Sequence, residues 1–124
     1  MEYLLIIPGR LDNFNDYTRA ERSHKYKGAR MKTKNEAIVK SAIIRQLRIP
    51  TITKRVRMEY LWVEKDRRRD PDNISSFGRK VILDELVNLE ILQNDGWANI
   101  VGFSDSFAVD KQDPRIEVKI IEVD

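Results

Sequence analysis

The chain has no cysteine, one histidine, five glycines and four prolines in 124 residues. The lack of cysteine excludes disulfides, thiolate metal sites and cysteine nucleophiles, and it fits a reducing, cytoplasmic setting. The one histidine, His24, lies in a basic stretch without the neighbours a general base needs, and reads as an ordinary surface residue. Long hydrophobic runs are missing too. No apolar stretch approaches the roughly 20 residues of a membrane helix. The opening run from Tyr3 to Pro8 is too short for a signal peptide and has no basic segment before it. What remains, 41% hydrophobic and 35% charged residues, describes a water-soluble globular chain with a single domain over residues 1–124 and no membrane partner.

Charge is present in quantity, and it is unevenly spread. Residues 1–69 hold 18 Lys/Arg against 8 Asp/Glu, whereas residues 70–124 hold 5 against 12. The near-neutral total of +3 therefore hides a basic half and an acidic half. One half suits a polyanion and the other suits cations, set against the plainer reading of solvated charges segregated by chance.

Along the chain, Tyr3 to Pro8 reads as a short strand. Residues 9–30 lack clean periodicity and read as a long loop. From Arg19 to Lys34 lie Arg19, Arg22, Lys25, Lys27, Arg30, Lys32 and Lys34, with Tyr17 and Tyr26 interleaved. A basic segment with aromatics can follow a phosphate backbone and stack on a base; the alternative is a solvated loop. Residues 33–48 read as a helix capped by Thr33 or Asn35, with Lys40, Arg45 and Arg48 on its solvated side. Thr51 to Lys65 reads as a strand whose part from Tyr60 to Val63 is apolar on both faces, which places it centrally in a sheet with Trp62 in the core. Asn73 is the expected N-cap of a helix running from Ile74 to about Leu92. That helix carries two apolar stripes, so one side faces the sheet and the other requires a second helix or a second copy of the chain. A homodimer is therefore expected. Residues 98–109 and 115–123 read as an antiparallel hairpin joined at Asp110 to Pro114. The expected class is α+β, a small mixed β-sheet packed against two helices.

The candidate chemistry lies in Arg67-Arg68-Arg69-Asp70-Pro71-Asp72-Asn73. Cutting a phosphodiester requires an activated water and charge relief on the leaving oxygen, which divalent cations held by carboxylates supply. Pro71 disfavours helical geometry at Asp70, so Asp70 and Asp72 are expected on an extended backbone with both carboxylates on one side. The positive end of the following helix lies beside them, and the three arginines offer phosphate contacts. Asp95 is a third acid beyond the helix. A helix from 74 to 92 is about 28 Å long, so Asp95 reaches the pair only if the helix is shorter, bent or broken, with Gly78 as the candidate break, or if a second subunit supplies it. The simpler reading of Asp-Pro-Asp-Asn is a turn and helix cap.

Arg67 to Asn73, the later Leu83-Asp84-Glu85-Leu86 and then Asn94-Asp95-Gly96-Trp97 resemble the RusA family of Holliday junction resolvases. The resemblance covers residues 61–105 and extends to the terminal strands. It implies a RusA-like homodimeric, Mg²⁺-dependent endonuclease (Mn²⁺ an alternative metal) that nicks four-way DNA junctions in recombination and repair. It implies Asp70, Asp72 and Asp95 as essential metal ligands. Members of the family carry a lysine four residues after the second aspartate. Here that position is Ser76, and Lys80 or Arg79 stands one turn on as its replacement. Asp84 fits the pattern as a structural residue. Two rivals stand beside this reading: a PD-(D/E)xK-type nuclease using Asp72 with Glu117 and Lys119, and a non-catalytic basic DNA-binding protein. The second leaves the aspartates unexplained, since acids cost affinity for a polyanion.

Overall fold

The computed structural model of the chain describes residues 1–24 and 26–123. Its elements are β1 (Glu2–Pro8), α1 (Phe14–Ser23), α2 (Lys27–Gln46), β2 (Val56–Glu64), α3 (Pro71–Asn88), β3 (Ile100–Val109) and β4 (Arg115–Glu122). The class is α+β with a mixed sheet, as expected, but three helices cover it rather than two.

The four strands lie in the order β1-β4-β2-β3. β4 is antiparallel to both β1 and β2, while β2 and β3 are parallel. The expected hairpin of β3 with β4 does not form, because β2 lies between them. The turn after Val109 steps over the end of β2: Asp110 N–H donates to Glu64 C=O at 2.8 Å, and Arg115 then pairs with Val63. Turn residues reverse the chain without deciding which strand is its neighbour. The strand that is apolar on both faces takes the interior place. A parallel β2–β3 pair requires a long crossover, and α3 provides it.

Alternation along the strands sorts the two faces. Leu5, Ile7, Val56, Met58, Tyr60, Trp62, Ile116, Val118 and Ile120 point into the core beneath the helices. Leu4, Glu59, Leu61, Glu117 and Lys119 line the opposite, open face. Glu117 and Lys119 therefore lie on the face turned away from α3 and Asp72.

The helices correct several expectations. The basic stretch is not a loop but the helical hairpin of α1 and α2. Asn13 caps α1 by accepting from Asp16 N–H at 2.8 Å, and Tyr17 stacks on Phe77 with ring centroids 4.7 Å apart. α2 begins six residues before Thr33. Asn35 is no cap but a buried residue inside α2: its side chain accepts from Asp12 N–H and donates to the Asp12 carboxylate and to Met31 C=O. α2 packs along α3, which accounts for the second apolar stripe without a second copy of the chain. α3 starts at Pro71, not Ile74, so Asp70 rather than Asn73 stands at the N-cap. It ends at Asn88 in a Schellman motif, with Ile91 N–H bonded to Leu86 C=O and Glu90 N–H to Val87 C=O. The left-handed residue of that motif is Glu90, at φ 61°. The helix is continuous through Gly78, which is no break: a Cβ there would meet Trp62 Cζ3 at 2.8 Å.

Candidate active site

The N-terminus of α3 presents the two motif carboxylates. Asp70 is extended, at φ −72° and ψ 143°, as Pro71 demands, but Asp72 lies within the first helical turn and not on an extended strand. Both are exposed. Asp70 stands where a cap belongs yet makes no side-chain capping bond. Among the described residues neither carboxylate has a hydrogen bond or ion pair to the protein. An aspartate at the N-cap normally accepts from a free N–H group, and Asp70 does not; Asp72, in the first turn, is favoured there by the helix dipole without a direct partner. Asp70 lines a groove of about 330 Å³ together with Glu64, Asp66, Arg67, Phe107 and Val109.

Helical spacing places Asp72, Ser76, Lys80 and Asp84 in one row along the outer side of α3. Asp95 is brought to the far part of that row. After the Schellman turn the chain doubles back, and Lys80 Nζ lies 3.0 Å from Asp84 Oδ1 and 3.8 Å from Asp95 Oδ2. The hydrogen bond and charge of Asp84, with a smaller contribution from Asp95, raise the Lys80 pKa and hold it as a cation. Lys80, against which Asp95 lies, is about 12 Å of helix rise beyond Asp72, so Asp95 is not gathered with Asp70 and Asp72. Among the described residues no three His, Asp or Glu side chains gather to hold a metal ion.

The choice between Arg79 and Lys80 resolves on geometry. Arg79 points toward β3, 2.7 Å from Asp105 Oδ2 and with its guanidinium 4.4 Å from the Phe103 ring centroid. Lys80 alone of the two stands in the row of Asp72. A second cation was missed by reasoning from the sequence in this role: Lys32 lines a groove of about 300 Å³ with Ser76, Lys80, Phe14 and Tyr17. It comes from α2, 44 positions from Ser76 in the chain, and no local signal connects the two.

The candidate nucleic-acid contacts separate into groups. Arg19, Arg22, Lys27 and Arg30 are exposed on the helical hairpin, and Lys27, Arg30 and Lys34 recur at helical spacing. Lys32 is half-buried, Lys34 is tied to Asp12 at 3.0 Å, and Lys25 lies outside the described residues. Arg67 and Arg68 are exposed beside Asp70. Arg69 is not a surface contact. Its guanidinium donates to Leu11 C=O at 2.7 Å and pairs with Glu64, which also holds Arg10, and burial lowers its pKa. Arg69 joins the loop before α1 to the end of β2. One large aromatic side chain is presented outright: Trp97, 98% exposed, two residues after Asp95.

No family model matches the chain, and no curated protein matches it. No helix among the described residues is long and apolar enough to cross a membrane.

Proposed function

We propose that the chain is a Mg²⁺-dependent endonuclease of the RusA kind that nicks branched DNA, four-way junctions above all, in recombination and repair, and that it works as a homodimer in the cytoplasm. Mn²⁺ would serve in place of Mg²⁺. The observation that carries the reading is the pair of exposed, unpartnered carboxylates, Asp70 and Asp72, at the N-terminus of α3 beside Arg67 and Arg68. Mg²⁺ takes one or two carboxylates and completes its shell with water and substrate phosphate, and this pair offers that set. The bound metal would supply an activated water and charge relief at the leaving oxygen. Arg67, Arg68 and the basic residues of α1 and α2 hold the phosphate backbone. Lys80, ion-paired with Asp84, follows Asp72 along the same row and supplies positive charge to the scissile phosphate. Asp95, distant from the pair in its own chain, enters from a second copy whose α3 runs antiparallel. The PD-(D/E)xK alternative gains no support, since Glu117 lies on the open face and is bound to Arg115 at 2.7 Å.

The test is cleavage of a synthetic four-way junction in Mg²⁺, with linear duplex as control. Asp70→Asn, Asp72→Asn and Asp95→Asn each abolish nicking and leave junction binding intact. A mixture of the Asp72→Asn and Asp95→Asn proteins regains nicking, because mixed dimers carry one intact site. Undiminished nicking by Asp72→Asn refutes the site. Salt-sensitive binding with no cleavage under any divalent metal favours the non-catalytic DNA-binding protein.

A further inference from the structure

β3 is an edge strand of ten residues, and no other described element shields it. Val101, Phe103, Phe107 and Val109 are all between 41% and 53% exposed. Natural sheets blunt such an edge with lysine, proline, an inward charge or a covering loop, since its unpaired N–H and C=O groups invite another chain. β3 contains no lysine or proline, and the one irregularity in its pairing with β2, a bulge at Val101, lies at its start and leaves residues 102–109 in regular register. Its one charge, Asp105, is engaged by Arg79 at 2.7 Å and by Trp62 Nε1–H at 2.9 Å.

The strand is also nearly symmetrical about Asp105. Reading outward in both directions gives Ser104 and Ser106, Phe103 and Phe107, Gly102 and Ala108, Val101 and Val109. A strand that pairs antiparallel with its own copy about a two-fold axis sets residue i against residue j and j against i, so a self-complementary pattern is what such an interface needs. Centred on Asp105, the pairing sets Phe103 against the second copy's Phe107, twice, within the regular part of the strand. Aromatic and β-branched cross-strand pairs are the contacts that stabilise a sheet. The backbone agrees with this register. Asp110 N–H points to β2, so by alternation the even-numbered residues of β3 turn their backbone groups inward. The odd-numbered ones, 103, 105 and 107 among them, turn theirs outward to the free edge. The two central Asp105 carboxylates are each neutralised by Arg79 of their own chain.

The geometry points to β3 as the surface on which a second copy of this chain docks, by antiparallel pairing centred on Asp105, to make one continuous eight-stranded sheet. The inference rests on the nuclease reading for its need of two copies, and on β3 for where they meet. The same two-fold axis runs the two α3 helices antiparallel, which is the orientation that reading requires.

The test is the mass of the protein in solution, combined with directed cross-linking. The wild type is a dimer. Phe103→Lys, which removes both symmetric aromatic pairs and places a charge on the edge, is a monomer or dimerises at least tenfold more weakly, with an unchanged circular dichroism spectrum. Because the chain has no cysteine, single cysteines report cleanly. Ser104→Cys and Ser106→Cys proteins, mixed and oxidised, form a disulfide-linked dimer that neither forms alone, since these residues face each other in the narrow pairs of an antiparallel ladder. A monomeric wild type, a dimer that survives Phe103→Lys, or no excess cross-linking in the mixture overturns the proposal. If Phe103→Lys fails to fold, the cross-linking decides alone. A wild type that nicks junctions as a dimer without the cross-link sinks this interface and leaves the nuclease standing. A cross-linked dimer that never nicks does the reverse.

Discussion

Replacing Gly78 with alanine tests whether α3 is a continuous rod, and with it the separation of Asp95 from Asp70 and Asp72. The position is buried against the Trp62 ring, and a Cβ there would lie 2.8 Å from Cζ3 and 2.9 Å from Cη2, where ordinary contact begins at 3.4 Å. The ring has no room to withdraw. Trp62 is 1% exposed, stacks on Tyr60 with centroids 5.6 Å apart, and donates through Nε1 to Asp105. Overpacking of this kind costs about 1–3 kcal/mol. Alanine in place of glycine returns about 1 kcal/mol in helix propensity. The net expectation is a loss of about 1 kcal/mol, within a range of about 0–2, which lowers the melting temperature by about 4 °C for a chain of this size. Urea unfolding followed by circular dichroism reads it as a lower midpoint with an unchanged slope. Gly78→Ala in a Trp62→Phe background should cost less than in the wild type, because the smaller ring gives way. A Gly78→Ala protein as stable as the wild type, or more so, would mean that the propensity gain wins and the close approach to Trp62 is not what selects glycine.

Two further predictions follow from the basic residues. Arg67→Ala with Arg68→Ala leaves the fold intact and weakens junction binding. It also reduces the slope of log affinity against log salt by about two, one for each phosphate no longer neutralised. Arg69→Ala acts on stability instead, by about 2 kcal/mol, since it leaves Glu64 with Arg10 alone in a buried network and frees Leu11 C=O; denaturation of the two variants side by side separates the roles. At Asp12, burial alone would raise the carboxyl pKa, but hydrogen bonds from Asn35 and Lys34 outweigh it and hold the group below its ordinary 3.8. The folded state thus binds this proton less readily than the unfolded state. The stabilisation is complete above pH 3.8 and is lost as pH falls through the lower folded value. Asp12→Asn should flatten that acid limb of the stability curve, and a curve that keeps its steepness would assign it to other carboxylates.

What the sequence made legible follows from which signals are local. The β-class runs, the central place of Tyr60 to Val63 and the core position of Trp62 were readable, because alternation and two-sided apolarity are properties of neighbouring residues. α1 was missed because its apolar stripe is short: Phe14, Tyr17 and Ala20 recur every three residues among polar neighbours, and only Ala20 is fully buried. Its other signature was Asn13 followed three residues later by Asp16, a helix-start pair that needs no hydrophobic face. The end of α3 was overrun because Ile91 and Leu92 continue the apolar count. They are buried through the turn after the helix, and a glutamate at φ 61° hides a position where glycine would have announced the stop.

The candidate site divides along the same line. Asp70-Pro71-Asp72 could be found because its meaning is carried by three adjacent residues. The place of Asp95 could not, because it depends on how the chain returns after α3. Reasoning from helix length leaves a shorter, bent or broken helix or a second subunit. α3 does end early, and the chain returns to Lys80, yet the return stops short: it leaves Asp95 against a residue about 12 Å of helix rise beyond Asp72. A continuous α3 therefore removes the break as an answer. In the proposed nuclease Asp95 therefore serves the metal of another chain, and the unshielded, self-complementary β3 is the element proposed to hold that chain in place.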